Sequence, residues 1–347
     1  MSGATEIVID DWRDPVFSPA ARELLELAAP MAEHLSLSED AILGQASADL
    51  GLDDFGDDGF RAPLRALLAS LRDEAGLSAF GTINLHTQLV QLARNRLLVE
   101  DQIARHPEIL DIEIAAPIIV AGLPRTGTTH LHQLLAADPA LRSLPYWESL
   151  EPVPIPGDAP GADGIDPRWA RTAAACEFMD LAMPHFKAMH EMTPDHVHEE
   201  IALLAMDCST MYFETQAVLP GYRDHYLADD PVPHYRYLRR VLQVCTFLRG
   251  GDRWVLKSPQ HLERFDALRT VFPDATVVIT HRDPAEVVTS MLMMLTYAAR
   301  LMVDHPDPSA IAAHWVPRLG DLLDGCRRDR HLLAPERSID VRFADFM

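Results

Sequence analysis

The sequence predicts an α/β protein in which a parallel β-sheet is flanked by helices and preceded by a helical region. Residues 118–121 form a short, apolar, β-branched run, and residues 254–256 and 275–280 repeat this pattern. Such runs are typical of strands that are buried on both faces of a sheet. Strands that alternate with helices give a parallel sheet. The helices expected between and after these runs cover residues 130–137, 168–183, 197–213, 235–248 and 262–271, with another from residue 284 onward.

The N-terminal third of the chain shows helical spacing of its apolar residues. Phe17, Ser18 and Pro19 offer a hydrophobic staple, an N-cap and a proline for the first helical turn, so a helix is expected to begin there. Residues 63–71 and 85–97 continue the helical pattern. We therefore divide the chain into a helical region, 1–110, and an α/β domain, 111–347. The helical region is expected to pack as a cap or a dimerisation arm, so a homo-oligomer is one possible assembly.

The charge of the chain argues against two classes of partner. Lys and Arg number 30 against 52 Asp and Glu, so the net charge is −22 with neutral histidines. A field of that sign repels nucleic-acid backbones and anionic membrane surfaces, so neither is expected as a partner. The longest apolar stretch, residues 291–302, is shorter than the roughly 20 residues of a membrane-spanning helix. Because the acidic start also lacks the pattern of a secretory signal, the sequence predicts a cytoplasmic protein.

A glycine loop follows the first predicted strand and precedes a helix. Gly122 and Gly127 are five residues apart, as in the phosphate-binding pattern G-x-x-x-x-G-K-[ST]. Glycines let the backbone N–H groups surround an anion, and the helix N-terminus adds positive charge. Thr128 stands where that pattern has lysine, so the loop is suited to holding a phosphate without hydrolysing ATP. The alternative is a turn in which this glycine spacing occurs by chance and binds no anion. The candidate ligands are Arg125, Thr126, Gly127, Thr128 and Thr129.

A second candidate anion site follows the strand at residues 275–280. Arg282 follows that strand after His281, and Asp283 and Pro284 are suited to begin a helix. Ser290 lies seven residues past Asp283, two turns along the same side of the helix. An arginine and a hydroxyl on one face suit a second phosphate. The alternative is an arginine in a salt bridge beside a buried helical serine.

Together the two segments resemble the sulfotransferase superfamily that uses 3′-phosphoadenosine 5′-phosphosulfate (PAPS). Residues 124–129, PRTGTT, are similar to the family's 5′-phosphosulfate loop, P-[KR]-[ST]-G-T-[TS]. Residues 282–290 resemble its 3′-phosphate element, R-[DN]-P-x5-S, and residues 256–261, LKSPQH, resemble the K-[ST]-P-x-H segment of many bacterial members. The resemblance begins near residue 117 and runs to the end of the chain.

The resemblance implies a P-loop NTPase-like fold and a role for each matching residue. Arg125 and the loop residues that follow it would contact the 5′-phosphosulfate, while Arg282 and Ser290 would hold the 3′-phosphate of PAPS. Lys257 would steady the transferring sulfuryl group and its leaving oxygen. The chain stops at Met347, before the family's usual C-terminal segment, so the α/β domain is expected to be C-terminally incomplete.

Sulfuryl transfer sets two requirements. Negative charge grows on the departing oxygen, which cations such as Lys257 and Arg125 stabilise, and no metal is needed. The acceptor hydroxyl of a small molecule, sugar or lipid must also lose a proton to a base. We expect that base to be His198 or Glu199, in the acidic, His-rich segment 191–200, and then His261. Alternatively, the acidic residues complement the dipole of the helix that they precede.

Two other functions compete with this prediction. A P-loop nucleotide kinase or NTPase requires a lysine in the loop and an acidic residue after a buried strand, whereas this chain has Thr128 and the pair His281 and Arg282. A catalytically dead nucleotide-binding or scaffold module is the third possibility. Affinity for adenosine 3′,5′-bisphosphate separates the three.

Overall fold

The computed structural model describes residues 7–161 and 164–347, and these form a parallel sheet surrounded by helices. The strands are β1 (Ile118–Gly122), β2 (Leu141–Arg142), β3 (Arg253–Lys257), β4 (Thr276–His281) and β5 (Ser338–Arg342). The helices are α1 (Pro19–Ala32), α2 (Glu39–Leu50), α3 (Arg61–Asp73), α4 (Ala79–Arg105), α5 (Thr128–Ala136), α6 (Tyr146–Leu150), α7 (Pro167–Ala182), α8 (Phe186–Met189), α9 (Ile201–Leu204), α10 (Pro220–Ala228), α11 (Pro231–Arg249), α12 (Phe265–Val271), α13 (Pro284–Met302), α14 (Pro308–Asp329) and α15 (Phe343–Phe346).

The sheet confirms the predicted fold class. Its strand order is β2-β3-β1-β4-β5, and every neighbouring pair runs parallel. β1 lies in the centre, with Val120 opposite Lys257 of β3 and Gly122 opposite Thr280 of β4. Because the strands are parallel, their carboxyl ends meet at one edge. The glycine loop, Lys257 and Arg282 therefore all leave the sheet at the same edge.

The helical region packs onto the α/β domain through one continuous core. Ser18 caps α1 by accepting a hydrogen bond from the backbone N–H of Ala21 at 3.2 Å, as the sequence predicted. Buried leucines of α2, α3 and α4 belong to the same apolar cluster as the strands β1, β3 and β4. At the crossing of α4 and α13, a Cβ on Gly81 would lie 2.0 Å from the carbonyl oxygen of Met302. This glycine therefore permits the close helix contact. The division at residue 110 stays a prediction.

The helix expected over residues 197–213 is wrong. The segment forms α9 and two 3₁₀ turns, Ala205–Asp207 and Met211–Thr215. Its first residues pair with another segment instead of starting a helix: Val197 forms an antiparallel bridge with Pro145, and the N–H of His198 donates to the carbonyl of Leu144 at 2.7 Å. Further along, Cys208 has a φ of +55°, which interrupts helical geometry. Tertiary pairing therefore overrides the apolar periodicity.

Smaller differences lie at element boundaries. α4 is 27 residues long and extends beyond the expected 85–97, while α2 and the two-residue β2 had no sequence prediction. α12 begins at Phe265 because residues Pro259–Glu263 form a 3₁₀ turn. Within residues 7–161 and 164–347, no helix combines the length and apolar character that crossing a membrane requires.

Candidate active site

The glycine loop joins β1 to α5 and needs both of its glycines. A Cβ on Gly122 would lie 2.0 Å from the hydroxyl oxygen of Thr280, on the adjacent strand. Gly127 has a φ of +79° and caps α5, and a Cβ there would lie 2.9 Å from ring carbons of Phe343 and Phe346. Arg125, between them, also has a positive φ, +70°. The loop is thus tightly curved, and its curvature leads into the N-terminus of a nine-residue helix.

The threonine hydroxyls of the loop have different hydrogen-bond partners. The Thr126 hydroxyl donates to the carbonyl of Leu123 at 2.6 Å and lies 2.7 Å from the Thr280 hydroxyl, and the residue is 1% exposed. Its backbone N–H also donates to the Leu123 carbonyl, at 3.3 Å, so Thr126 braces the loop through both groups. The hydroxyl of Thr129 instead accepts a hydrogen bond from Nζ of Lys257 at 3.3 Å. Thr128 is buried at the first position of α5.

The two candidate anion sites touch each other. Arg125 Nε donates to the hydroxyl of Ser290 at 3.0 Å, and the guanidinium of Arg282 donates to the carbonyl of Arg125 at 3.0 Å. Arg282 also pairs with Glu286 at 2.7 Å and lies over the ring of Phe343, 4.2 Å from its centroid. The structure thus brings Arg125, Ser290 and Arg282 together at adjacent strand ends.

Arg125 is a cation held without a counter-charge. Burial and the nearby Arg282 guanidinium lower the pKa of Arg125 below its ordinary value. In the described part of the chain no carboxylate forms an ion pair with Arg125, whose side-chain partner is the neutral Ser290 hydroxyl. Two arginines that destabilise each other's charge favour an anion between them. The arrangement therefore fits a phosphate or phosphosulfate.

Lys257 ends β3 directly beside the glycine loop. The residue is 1% exposed, and its ammonium pairs with the carboxylate of Glu199 and with Thr129. Its backbone N–H donates to Oε2 of Glu200 at 2.7 Å. Consecutive glutamates therefore hold one residue, Glu199 through its side chain and Glu200 through its main chain. This double contact fixes the position of the ammonium.

His261 lies behind this pair and faces away from solvent. The Nε2 atom lies 2.5 Å from Oε1 of Glu200, and Nδ1 lies 2.8 Å from the hydroxyl of Tyr235. The residue is 0% exposed, so both ring nitrogens are engaged inside the protein. This placement suits a residue that positions Glu200. The role of His261 as a base stays a prediction.

The other two base candidates, His198 and Glu199, are neighbours in the chain, and Glu199 contacts Lys257. The His198 ring lies 4.6 Å from the ring of Tyr146, and its Nδ1 has no hydrogen-bond partner among the described residues. Burial, His190 and Lys257 lower the pKa of His198 well below its ordinary value. Glu199 is the candidate whose carboxylate contacts Lys257 directly. The role of each stays a prediction.

Several residues of the site had no signal that sequence reasoning used. Glu200 stood in the predicted acidic segment, but its contact with the main chain of Lys257 spans 57 positions. Thr280 lies at the site because the sheet register places it opposite Gly122. Tyr146 lies there because its neighbour Pro145 pairs with Val197. Glu286 follows Arg282 by four positions, a spacing at which helical ion pairs form, so this pair was accessible to sequence analysis.

A metal centre has no support in the donor groups. Within the part of the chain that the structure describes, no cluster of three or more His, Cys, Asp or Glu side chains is arranged to hold a metal ion.

The fold and the site define an α/β protein of the P-loop type, with two adjoining candidate anion sites and no lysine in the loop. The model of the Sulfotransferase family matches residues 117–347, about two thirds of the chain, and the chain therefore belongs to that family. The match spans the sheet, the loop and both anion sites.

Solved structures of this family are similar over most of the chain. Sulfotransferase STF1 from Mycobacterium tuberculosis H37Rv is 30% identical with a TM-score of 0.78, covering 89% of this chain and 84% of that one. Sulfotransferase STF9 from Mycobacterium avium is 26% identical with a TM-score of 0.78, covering 89% and 80%. Among curated proteins, the omega-hydroxy-beta-dihydromenaquinone-9 sulfotransferase Stf3 of Mycobacterium bovis is 25% identical over 242 residues, which are 67% of this chain. The match spans 58% of the length of that relative.

Proposed function

We propose that this chain transfers a sulfuryl group from PAPS to a hydroxyl group of an acceptor by in-line displacement. The observation that carries the proposal is the 3.0 Å hydrogen bond between Arg125 and Ser290. This bond joins the loop to α13, and Lys257 contacts the same loop at Thr129, which supports a single anion-binding surface there. A donor with phosphate on both the 3′ and 5′ sides of one ribose matches such a surface, whereas a simple triphosphate does not.

The residues present fit PAPS in their chemistry. Arg282 and Ser290 would hold the 3′-phosphate. Arg125 with the backbone N–H groups of Gly127, Thr128 and Thr129 would hold the 5′-phosphosulfate, in the loop that Thr126 braces. Gly127 supports this assignment because its positive φ and the absence of a Cβ keep the loop closely curved. The kinase alternative requires a lysine at position 128, where this chain has threonine.

In the proposed mechanism, Glu199 and Lys257 act as a pair. PAPS, when bound, supplies the sulfuryl group and departs as adenosine 3′,5′-bisphosphate with the electron pair of the broken sulfur–oxygen bond. Glu199 accepts the proton of the acceptor hydroxyl while the oxygen of that hydroxyl forms its bond to sulfur. Lys257, held at its main chain by Glu200, stabilises the charge that develops on the departing oxygen.

The proposal names the acceptor only by its chemical class. The relative Stf3 is named for a hydroxylated dihydromenaquinone, which supports a small-molecule or lipid hydroxyl as acceptor here. The predictions of a cytoplasmic location, of no nucleic-acid partner and of homo-oligomerisation remain predictions.

Two measurements on the full chain test the proposal. Isothermal titration should show binding of adenosine 3′,5′-bisphosphate that is tighter than binding of ATP with magnesium. Incubation with ³⁵S-labelled PAPS and a panel of hydroxyl compounds should then transfer label to at least one acceptor. Tighter binding of magnesium ATP, or no binding of the bisphosphate, would overturn the assignment.

A further inference from the structure

Two phenylalanine rings of α15 lie against the glycine loop. β5 runs parallel to β4 with Arg342 opposite His281, so the residues that follow the two strands are also neighbours. α15 begins at this point, with Phe343. A Cβ on Gly127 would lie 2.9 Å from ring carbons of both Phe343 and Phe346. The side of the loop at Gly127 is therefore covered by aromatic rings.

One of these rings also contacts the guanidinium of Arg282. The central carbon of that guanidinium lies over the Phe343 ring, 4.2 Å from its centroid. This distance is well within the ~6 Å at which an aromatic face attracts a cation. The register accounts for the contact, because Arg282 and Phe343 directly follow the paired residues His281 and Arg342. The sheet thus places an aromatic ring on the arginine proposed for the 3′-phosphate.

The Phe343 ring differs in kind from the other partners of Arg282. Arg282 Nε donates to Glu286 at 2.8 Å, and Nη1 donates to the carbonyl of Arg125 at 3.0 Å. Both of these contacts use N–H groups, which a phosphate would also need. The ring attracts the cation through its π-face and takes the place of no oxygen acceptor. This contact can therefore persist while a phosphate replaces Glu286.

The position of the Phe343 ring is itself supported. Phe343 and Phe346 are both half-buried, and their rings meet at 74° with 6.1 Å between centroids. Edge-to-face contact of this kind is favourable for aromatic pairs. The backbone before Phe343 is paired to β4, and Gly127 lies against both rings. A ring held in this way restricts the positions that the guanidinium over it can take.

We propose that Phe343 is a positioning residue for Arg282, and that it raises the preference of this chain for nucleotides with a 3′-phosphate. The ring keeps the guanidinium at the strand end while its acceptor changes from Glu286 to the phosphate. Less side-chain freedom is then lost when the 3′-phosphate binds. The inference rests on the proposed function, because it assigns a further residue to the same nucleotide site.

The test compares two nucleotides that differ only in the 3′-phosphate. Isothermal titration of the full chain measures adenosine 3′,5′-bisphosphate and adenosine 5′-phosphate, and the ratio of the two affinities reports the 3′ contact. Phe343→Leu removes the ring but keeps apolar bulk against the loop. We expect it to lower the ratio about fivefold, with adenosine 5′-phosphate changed by less than about twofold. An unchanged ratio, or an equal loss for both nucleotides, would contradict the inference.

A double-mutant cycle assigns the effect to Arg282. In the Arg282→Ala background, Phe343→Leu should change the affinity for the bisphosphate by less than about twofold, because no guanidinium remains over the ring. Phe343→Tyr keeps an aromatic face and should keep the wild-type ratio. Additive effects of the two substitutions, or a fivefold lower ratio in folded Phe343→Tyr, would overturn the inference.

The matched control is Phe178→Leu. It removes a ring that is also half-buried and also packed on another phenylalanine, Phe80, at 5.4 Å between centroids. Both nucleotide affinities should stay at their wild-type values in this variant. Circular dichroism shows whether each variant is folded, and Phe343→Met replaces Phe343→Leu if the leucine variant is not.

The wild-type affinities separate this inference from the proposed function. If the wild-type chain binds the bisphosphate no more tightly than adenosine 5′-phosphate, the 3′-phosphate site fails, and PAPS as the donor fails with it. If the wild-type chain prefers the bisphosphate and folded Phe343→Leu keeps that preference, the proposed function stands and the role of Phe343 is wrong.

Discussion

The arginines of the proposed nucleotide side and the lysine of the proposed transfer side differ in exposure and in their partners. The side chain of Arg282 is 25% exposed and pairs with Glu286, which is 58% exposed. Arg125 has a neutral hydroxyl as its side-chain partner. The side chain of Lys257, in contrast, is 2% exposed and pairs with Glu199 at 16% exposure. The ion pair of Arg282 is therefore partly exposed, whereas that of Lys257 is enclosed.

The difference follows from the energetics of ion pairs. An exposed pair contributes about 0–1 kcal/mol, so Arg282 can exchange Glu286 for a phosphate at little cost. Removing one partner of a buried pair leaves an uncompensated charge and costs about 3–5 kcal/mol. We infer that the nucleotide sites adjust to their ligand, while the transfer centre is preorganised before any ligand arrives. Four predictions test this contrast, from the largest effect to the smallest.

Replacing Lys257 should have the largest effect, and it should fall on turnover. Lys257→Met removes the cation that we propose stabilises the departing oxygen, so we expect kcat to fall by roughly 10²–10³-fold. Affinity for adenosine 3′,5′-bisphosphate should change by less than about threefold, since the arginines hold that ligand. Single-turnover kinetics and titration measure the two quantities. The chain has one other lysine, the exposed Lys187, and Lys187→Met is the matched control. Equal losses in kcat and affinity would make Lys257 a binding residue.

Replacing Arg282 should act on the nucleotide side alone. Arg282→Ala loses a charge-assisted contact to the 3′-phosphate, and we expect the bisphosphate to bind about 2 kcal/mol more weakly, or roughly 30-fold. Isothermal titration measures this change. Arg328→Ala serves as the control, because Arg328 is exposed and pairs with its neighbour Asp329 far from the loop in sequence. Wild-type affinity in Arg282→Ala would remove the second anion site from the proposal.

His261 should support the transfer centre without touching the ligands. His261→Phe keeps a ring but frees Glu200, whose carboxylate then loses a buried partner, so unfolding should need about 2 kcal/mol less free energy. Glu200 then keeps its contact with the main chain of Lys257 but loses the partner that orients it. Because it holds Lys257 less rigidly, we expect kcat to fall by about tenfold with nucleotide affinity intact.

Tyr235→Phe provides the conservative comparison for His261. It removes the hydroxyl that contacts Nδ1 and leaves the contact with Glu200, so its effect on kcat should be about threefold or less. Chemical denaturation and single-turnover kinetics measure both variants. If folded His261→Phe keeps the wild-type kcat, the contact between His261 and Glu200 serves stability alone.

The sequence predicted the strands and the two anion motifs better than the contacts around Lys257. Strands β1, β3 and β4 and both anion motifs are local signals, carried by apolar runs and by residues within ten positions of one another. The enclosure of Lys257 is not local, because Glu200 and His261 are 61 positions apart and meet only after the sheet forms. Contacts between distant segments also explain why the helix predicted over residues 197–213 does not form. Polar groups of residues 196–200 form hydrogen bonds with Lys257 and with the 144–146 segment.

The smallest predicted effect is on Glu286, the carboxylate that occupies Arg282. Glu286→Gln removes a competitor of the 3′-phosphate and a like charge beside it, so the bisphosphate should bind about threefold more tightly at low ionic strength. The gain should shrink in about 1 M salt, where charges are screened within roughly 3 Å. Glu336→Gln, at another exposed glutamate, is the control and should leave the affinity unchanged. Unchanged or weaker binding in Glu286→Gln would show that Arg282 does not exchange this partner for the nucleotide. The nucleotide side would then be as fixed as the transfer centre.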